Sequence, residues 1–264
     1  MSHAAGSGAP RAVLFDLDGT LYTDAGPIPG AVEALAELRR RGVPFRCVTN
    51  TTRRSRRLLA ARLAGYGFSI EAHDVVTAVM SGVALLGERS VRRVAAYVVP
   101  ETQEDFAGFD LAGTPPEAVV IGDLGEAWDF ATLNRAFHQL MDGAELLALQ
   151  RDRYWLRGDA LALDAGPFVA ALEYATGKAA TVCGKPSAAF YRAALATLPG
   201  DLGGRPADVV MVGDDLWGDV EGAQKAGLGA WMVRTGKFRE DVVAASGIVP
   251  DRIIDSVADL PELI

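Results

Sequence analysis

The sequence predicts an α/β protein with a Rossmann-like, doubly wound parallel sheet as its core and a second α/β domain, a cap, inserted into it. Two features of the 264-residue chain lead to this prediction. Short, continuous apolar runs alternate with helical patterns, and such runs are typical of parallel strands buried on both faces. The alternation occurs at both ends of the chain, with a long segment between them.

The N-terminal part begins with an apolar run that ends abruptly at Asp16, as a buried strand would. Apolar residues at helical spacing follow, and Gly42 ends that helix. A second run ends at Thr49, and Thr51 or Thr52 is expected to cap the next helix. The expected strand, helix, strand and helix cover residues 12–15, 30–41, 43–49 and the segment that carries Leu58, Leu59 and Leu63.

The C-terminal part repeats this alternation. Its expected strands and helices lie at residues 180–183, 187–198, 209–212, a segment ending at 226, and 229–233. Neither part holds enough strands to close a core alone. The two are therefore expected to share one sheet, in a core domain of residues 1–80 plus 180–264.

The intervening residues 81–179 are expected to form the inserted cap domain. They contain their own apolar runs and helical patterns, with strands expected at 93–99, 118–121 and 145–149 and helices at 134–141 and 167–177. Pro167 suits the first turn of a helix, and Gly177 is a suitable helix end.

Composition narrows the classes of partner. The net charge of −8 disfavours binding to nucleic acid and to anionic lipid. No apolar run approaches the roughly 18 residues that a membrane span needs. Residues 1–10 lack the apolar stretch of a signal peptide and are expected to be a disordered leader. Cys47 and Cys183 give no disulfide framework, so they are expected to be buried, reduced thiols in a cytoplasmic protein.

Two carboxylates, Asp16 and Asp18, directly follow the first predicted strand. In open α/β sheets, ligands bind beyond the carboxyl ends of the strands, so both side chains are expected at such a crevice. Asp16 could attack phosphorus as a nucleophile, and Asp18 could act as general acid and base. The alternative is a polar loop in which the two acids only cap a turn.

A second acidic group, Asp214, Asp215 and Asp219, follows another predicted strand. Carboxylates gathered in this way repel one another unless a cation lies among them, and Mg²⁺ prefers such oxygen ligands. Asp214 is closest to the strand end and is the expected ligand. Asp215 and Asp219 are expected to support it, or to begin a helix in the case of Asp219. The alternative is that all three are capping residues.

Two further segments could contact phosphate. Thr49, Asn50 and Thr51 lie between a strand and a helix, where they could bind a phosphate group or simply cap the helix. Lys185 follows an apolar run and could neutralise phosphate and hold Asp16, or it could be a solvated surface lysine. The basic run at residues 53–57 is expected to be a solvated helix face rather than a phosphate site.

These four segments, in this order, resemble the four motifs of the phosphatases of the haloacid dehalogenase superfamily. Residues 163–176, 182–187 and 233–238 are similar to subclass IIA, which has a C2-type α/β cap, and in particular to its phospholysine/phosphohistidine/inorganic pyrophosphate phosphatase and hydrolase-domain-containing subgroup. The resemblance implies a Mg²⁺-dependent phosphatase that removes phosphate from a small phosphorylated metabolite through an aspartyl-phosphate. It also allows a homodimer formed through the cap.

The resemblance also implies roles for individual residues. The nucleophile would be Asp16 and the acid/base Asp18, and Lys185 would pair with the transferring group. The metal ligands would be Asp16, Asp214 and the main-chain carbonyl of Asp18. The phosphate-binding residues would be Thr49 and Asn50, with Thr51 beside them. Some relatives have serine at the position of Asp18, so its presence favours ordinary monoester hydrolysis. In the cap, residues 164–168 are a candidate specificity loop.

Two other functions are compatible with this fold. The first is dehalogenation or phosphonate cleavage, but dehalogenation needs no metal cluster and phosphonate cleavage needs a cap lysine for which nothing specific is found. The second is a non-catalytic phosphate-binding or scaffold protein. Such a protein has no need of a nucleophile and an acid together, which argues against it.

Overall fold

The computed structural model describes residues 9–157 and 160–264, so most of the predicted N-terminal leader lies outside the described residues. The strands are β1 (Ala12–Asp16), β2 (Tyr22–Thr23), β3 (Gly26–Pro27), β4 (Phe45–Thr49), β5 (Val75–Thr77), β6 (Val94–Tyr97), β7 (Ala118–Ile121), β8 (Glu145–Ala148), β9 (Tyr154–Arg157), β10 (Ala160–Leu163), β11 (Thr181–Val182), β12 (Val209–Gly213), β13 (Gly229–Val233) and β14 (Arg252–Ile254). The α-helices are α1 (Ala31–Arg40), α2 (Arg56–Gly65), α3 (Ala78–Glu88), α4 (Phe130–Met141), α5 (Ala165–Thr176), α6 (Ala188–Ala196), α7 (Gly222–Lys225), α8 (Glu240–Ser246) and α9 (Leu260–Leu263).

The chain divides into two compact units. The first unit comprises Met1–Thr49, Arg57–Val76 and Lys185–Ile264. Its six-stranded sheet has the order β14-β13-β12-β1-β4-β5, and the neighbours from β14 to β4 run parallel. The N-terminal and C-terminal parts of the chain therefore share one sheet, as predicted, while β5 and β14 were not predicted.

The central strands of this sheet are buried on both faces. Side chains alternate along a strand, so Val13 and Phe15 of β1 face one way and Leu14 the other. Val13 and Phe15 pack in a core cluster with Leu35 and Leu38 of α1. Leu14, on the opposite face, is also fully buried. Continuous apolar runs predicted this arrangement, because a strand covered on both faces has no solvent-facing positions.

The second unit comprises Asn50–Arg56 and Thr77–Gly184. It contains a parallel four-stranded sheet of order β11-β8-β7-β6 and the antiparallel hairpin β9–β10. These boundaries differ by a few residues from the predicted limits of 81 and 179. The reason is that Thr77 caps α3, whose Ala78 and Val79 pack with Val120 and Cys183 in one core of this unit.

One strand was assigned to the wrong sheet. The apolar run at 180–183 was expected in the core sheet, but β11 pairs with β8 in the second unit. An apolar run signals burial without identifying the sheet that buries it. Both cysteines are buried and unbridged, as expected.

Some helix boundaries also differ from the prediction. The helix expected to follow Thr51 or Thr52 begins only at Arg56, because the Thr52 hydroxyl accepts a hydrogen bond from the backbone N–H of Asp123 at 3.0 Å instead of capping the helix. The helix expected at 134 begins at Phe130, where Asp129 is its N-cap. Across the described ranges, the helices are too short or too polar to cross a membrane.

Candidate active site

A buried lysine joins two carboxylates at the carboxyl edge of the six-stranded sheet. Asp16 is the last residue of β1, which lies between β12 and β4. The Nζ of Lys185 donates hydrogen bonds to Oδ1 of Asp16 at 2.5 Å and to Oδ1 of Asp219 at 2.6 Å. All three side chains are at least nine-tenths buried. Lys185 is therefore not the solvated surface lysine that was its alternative interpretation.

The charges of this group depend on one another. Burial raises the pKa of Asp16 above its ordinary value, although the charge of Lys185 opposes the rise. Burial also disfavours the charged form of Lys185, but Asp16 and Asp219 outweigh that effect and raise its pKa. Lys185 is therefore a permanent cation beside the predicted nucleophile, and it favours the ionised form of Asp16.

Asp214 follows the end of β12 and is 2% exposed. Its Oδ2 accepts a hydrogen bond from the backbone N–H of Lys237 at 2.8 Å, whereas its Oδ1 is buried without a hydrogen-bond partner. Burial, together with the charges of Asp16 and Asp219, raises the pKa of Asp214 to about 8. A buried oxygen without a partner is uncommon and indicates a missing cation or donor.

Asp219 lies in the same acidic cluster but has no oxygen to spare. Potential ligand oxygens of Asp16, Asp214 and Asp219 lie within 4.8 Å of one another. However, Oδ1 of Asp219 accepts from Lys185, and its Oδ2 accepts from the backbone N–H of Asp215 at 3.0 Å. Both oxygens of Asp219 therefore have hydrogen-bond donors, so Asp219 orients Lys185 and the loop, and it is a less suitable metal ligand than Asp214.

The cluster fits a hard divalent cation. Carboxylate oxygens are the ligands that Mg²⁺ prefers, and a cation would satisfy the unpaired Oδ1 of Asp214 while reducing the repulsion between Asp214 and Asp16. Lys185 already neutralises one side of Asp16. The residues present therefore suit a metal held by Asp16 and Asp214.

Asp18 lies in the turn beyond β1, and its side chain is exposed. The turn is closed by a hydrogen bond of 2.7 Å from the N–H of Gly19 to the carbonyl of Tyr22. Although Asp18 reaches solvent, the surrounding protein removes enough water to raise the pKa of its carboxyl, against the opposing effects of the Tyr22 hydroxyl and Arg62. A raised pKa suits a residue that must donate a proton near neutral pH.

Asp215 has a capping role. Its Oδ1 accepts from the N–H groups of Trp217 at 3.0 Å and Gly218 at 2.8 Å, at the start of the π-helical segment Leu216–Glu221. Its Oδ2 pairs with Nζ of Lys237 at 2.8 Å. The capping alternative therefore describes Asp215 well.

The predicted phosphate-binding residues fall in both units. Thr49 is the buried last residue of β4, in the first unit. Asn50 and Thr51 come next along the chain and group with the second unit. Phosphate binding by these three residues stays a prediction.

The basic run at 53–57 is only partly a solvated helix face. Arg53 precedes α2, pairs with Asp123 at 3.0 Å and lies 5.6 Å from the centre of the Trp155 ring. The backbone N–H of Arg56 donates to Asp105 at 3.2 Å. Arg53 and Arg56 therefore have acidic partners within the second unit. Arg54, in contrast, is exposed.

The candidate specificity loop at 164–168 begins with a structural residue. Asp164 is the N-cap of α5, and its Oδ1 accepts from the N–H of Ala165 at 2.7 Å and from the side-chain amide of Gln150. Burial, followed by the charge of Asp123, raises the pKa of Asp164 to about 6.

This raised pKa predicts a specific dependence of stability on pH. Because folded protein holds the Asp164 proton more tightly than unfolded protein, the stabilisation from that proton is lost as pH rises from about 4 to 6. Asp164→Asn keeps the Oδ1 acceptor and removes the carboxyl group that titrates. Relative to that of wild type, its free energy of unfolding should increase as pH rises across this range, by at most about 3 kcal/mol. Urea unfolding at several pH values measures the difference; a pH-independent difference would contradict the prediction.

Two residues beside the site, Lys237 and Arg62, were not predicted to belong to it. The backbone N–H of Lys237 donates to Asp214, and its Nζ donates to Asp215. The guanidinium carbon of Arg62 lies 4.6 Å from the centre of the ring of Tyr22, which belongs to the turn that carries Asp18. Lys237 follows β13, so a cation just after a parallel strand was an available signal. Arg62 carries no such signal, because it belongs to an arginine-rich helix.

The fold and the site define a class of hydrolase. Its features are a carboxylate at the end of a parallel strand, a buried lysine and an acidic cluster suited to a divalent cation. Residues 13–112 match the family model of haloacid dehalogenase-like hydrolases, and residues 182–260 match a second model of HAD-like hydrolases. Haloacid dehalogenase-like hydrolase domain-containing protein 2 from Bos taurus is 43% identical over 231 residues, which are 88% of this chain and 86% of that protein. The chain belongs to the haloacid dehalogenase-like hydrolase family.

Other comparisons point to the phosphatases of this family. The phospholysine phosphohistidine inorganic pyrophosphate phosphatase of Rattus norvegicus is 37% identical over 261 residues, covering 96% of this chain and 94% of that protein. The structure of a glycerol phosphate phosphatase from Mycobacterium tuberculosis, in complex with calcium, has a TM-score of 0.82 and 31% identity, covering 95% of this chain and 74% of that chain. The predicted Rossmann-like core with a cap and the predicted phosphatase class are confirmed.

Proposed function

We propose that this protein is a Mg²⁺-dependent phosphatase that removes phosphate from a small phosphorylated metabolite through an aspartyl-phosphate on Asp16. The observation that carries the proposal is the buried, unpaired Oδ1 of Asp214 in the same cluster as the carboxylate of Asp16, which Lys185 holds. A pure scaffold would leave this oxygen without a function.

In the first half of the reaction, the carboxylate of Asp16 attacks phosphorus and the bond from phosphorus to the ester oxygen breaks. Asp18 gives its proton to the leaving oxygen, which departs as an alcohol. Lys185 stabilises negative charge on the phosphoryl group. Binding of the other phosphoryl oxygens by Thr49, Asn50 and Thr51 stays a prediction. The raised pKa of Asp18 supports its role as the acid.

In the second half, the ionised Asp18 takes a proton from water, and the water oxygen attacks phosphorus. The bond between phosphorus and Asp16 breaks, which releases inorganic phosphate and restores both aspartates. The same residue therefore serves as acid and then as base. This cycle predicts an activity optimum near neutral pH.

Asp16, Asp214 and the main-chain carbonyl of Asp18 would hold Mg²⁺, which when bound neutralises phosphoryl charge. Lys185, which Asp219 orients, holds Asp16 in one orientation through buried hydrogen bonds. Such preorganisation matters because phosphoryl transfer depends chiefly on positioning and charge neutralisation.

The names of the relatives supply candidate substrates for this reaction. The names of the similar proteins mention pyrophosphate, phospholysine, phosphohistidine and glycerol phosphate. These compounds, with p-nitrophenyl phosphate, form the panel on which to screen this chain. Asp18 favours phosphate esters within the panel, because an alkoxide leaving group needs a proton from an acid.

A magnesium-dependent assay tests the proposal. Metal-free protein should not hydrolyse p-nitrophenyl phosphate at a measurable rate, and added MgCl₂ should restore turnover, to roughly 1–10³ per second on a good substrate. Excess EDTA should remove the activity again. Binding of phosphate without turnover of any panel member would favour the scaffold alternative, and equal turnover in EDTA would contradict the role of the metal.

Two predictions remain outside this assay. A homodimer through the inserted unit stays a prediction, and sedimentation velocity at several protein concentrations tests it. Cytoplasmic location also stays a prediction, which fractionation of the source cells tests.

A further inference from the structure

A three-residue segment after β13, Thr235, Gly236 and Lys237, reaches two other loops of the site; we name it the 235–237 strap. The backbone N–H of Lys237 donates to Oδ2 of Asp214 at 2.8 Å. The hydroxyl of Thr235 donates to the main-chain carbonyl of Gly19 at 2.6 Å. The strap thus connects the loop after β12 with the turn after β1.

The middle residue of the strap must be glycine. Gly236 has φ of +65°, a left-handed conformation that other residues rarely adopt. A Cβ on Gly236 would lie 2.8 Å from the Cα of Gly19 and still closer to the carboxylate of Asp214. Gly19 has φ of +84°, and a Cβ there would lie 3.0 Å from the Cα of Gly236. The two backbones can pack around Asp214 only because both residues lack side chains.

The strap determines which oxygen of Asp214 is free. Because the N–H of Lys237 occupies Oδ2, the unpaired oxygen is Oδ1. Without that hydrogen bond the carboxylate could rotate about its last bond, whose torsional preference is broad. A ligand that binds through one fixed oxygen loses less conformational freedom when the cation arrives.

The ammonium group of Lys237 makes its hydrogen bond with Asp215. Its Nζ pairs with Asp215 at 2.8 Å, and the side chain is exposed, so this ion pair contributes little to stability. The charge of Lys237 also favours the ionised form of Asp214, but less than the hydrogen bond from its backbone does. The main interaction of the strap with Asp214 is therefore made by the backbone.

We propose that the 235–237 strap is a positioning element that presents Oδ1 of Asp214 to the divalent cation and thereby sets the affinity of the site for Mg²⁺. This inference rests on the proposed Mg²⁺ site. It assigns a role to Thr235 and Gly236, which contact neither the nucleophile nor the acid in the proposed reaction. Their replacement should change metal binding before it changes the fold.

The test is calorimetric titration of metal-free protein with MgCl₂, without substrate. Gly236→Ala should weaken Mg²⁺ binding by about tenfold or more, because displacing one supporting contact of a metal ligand typically costs 10- to 100-fold in affinity. Gly247→Ala is the matched control: Gly247 has φ of +74°, but a Cβ there would meet nothing within 4 Å. It carries a similar backbone strain and should bind Mg²⁺ like wild type.

Thr235→Val is a milder variant for the case in which Gly236→Ala does not fold. It keeps the shape of the side chain and removes the hydrogen bond to Gly19, so it should weaken Mg²⁺ binding about threefold or more, as the loss of one hydrogen bond of ordinary strength predicts. If wild type binds Mg²⁺ and every folded strap variant binds it equally well, the strap proposal alone fails. If wild type itself does not bind Mg²⁺, the proposed metal site fails and the strap proposal fails with it.

Discussion

Asp16→Asn should lose turnover by a factor on the order of 10⁴ or more, because the amide that replaces the carboxylate cannot form the covalent intermediate. The substitution is nearly isosteric, and its amide oxygen can still accept the hydrogen bond from Lys185. The protein should therefore remain folded while it loses activity. Steady-state rates on the best substrate of the panel, with Mg²⁺ at saturation, measure the effect.

A matched control separates this effect from the loss of a charge. Asp251 is exposed and accepts a hydrogen bond of 2.7 Å from the N–H of Ala230. Asp251→Asn makes the same chemical change in the same unit and should keep activity within about twofold, since surface substitutions rarely have larger effects. Retention of a tenth of wild-type activity by Asp16→Asn would rule out Asp16 as the nucleophile.

Lys185→Met should impair both catalysis and stability. Methionine is similar in length but uncharged, so Asp16 and Asp219 would remain buried without the cation that both contact. Removing one partner of a buried ion pair costs about 3–5 kcal/mol of stability, and losing one stabilising donor in a site lowers kcat by about 10²–10³. Urea unfolding and steady-state kinetics measure the two effects separately.

Lys185→Met should also shift the pH dependence of activity. Lys185 lowers the pKa of Asp16, against the larger effect of burial. Its removal should raise that pKa, so the acid limb of the profile should move to higher pH. The control is Lys225→Met, because the Lys225 side chain is 68% exposed and pairs with Glu221, one helical turn away. An unchanged acid limb in Lys185→Met would contradict the coupling of Lys185 to Asp16.

The sequence predicted the strands that hold the site because their burial leaves a clear pattern. The runs that end at Asp16 and before Asp214 contain only apolar residues, and β1 and β12 are indeed adjacent and buried. Strand ends at one edge of a parallel sheet bring distant residues together. The meeting of Asp16 and Asp214 in one cluster follows from that rule.

Other features depend on contacts that no local pattern encodes. The hydroxyl of Thr52 accepts a hydrogen bond from the backbone N–H of Asp123, 71 positions away, so this predicted helix cap does not cap the helix. The run before Lys185 signals burial but not the sheet to which β11 belongs. The interaction of the strap with Asp214 uses a backbone N–H, which every residue except proline has.

The stereochemical course at phosphorus distinguishes an aspartyl-phosphate intermediate from direct attack by water. Hydrolysis of an isotopically chiral thiophosphate monoester in labelled water reports whether phosphorus undergoes one displacement or two. Transfer to Asp16 and then to water consists of two in-line displacements, so retention of configuration is expected. Inversion would show a single attack by water and would contradict the aspartyl-phosphate on Asp16.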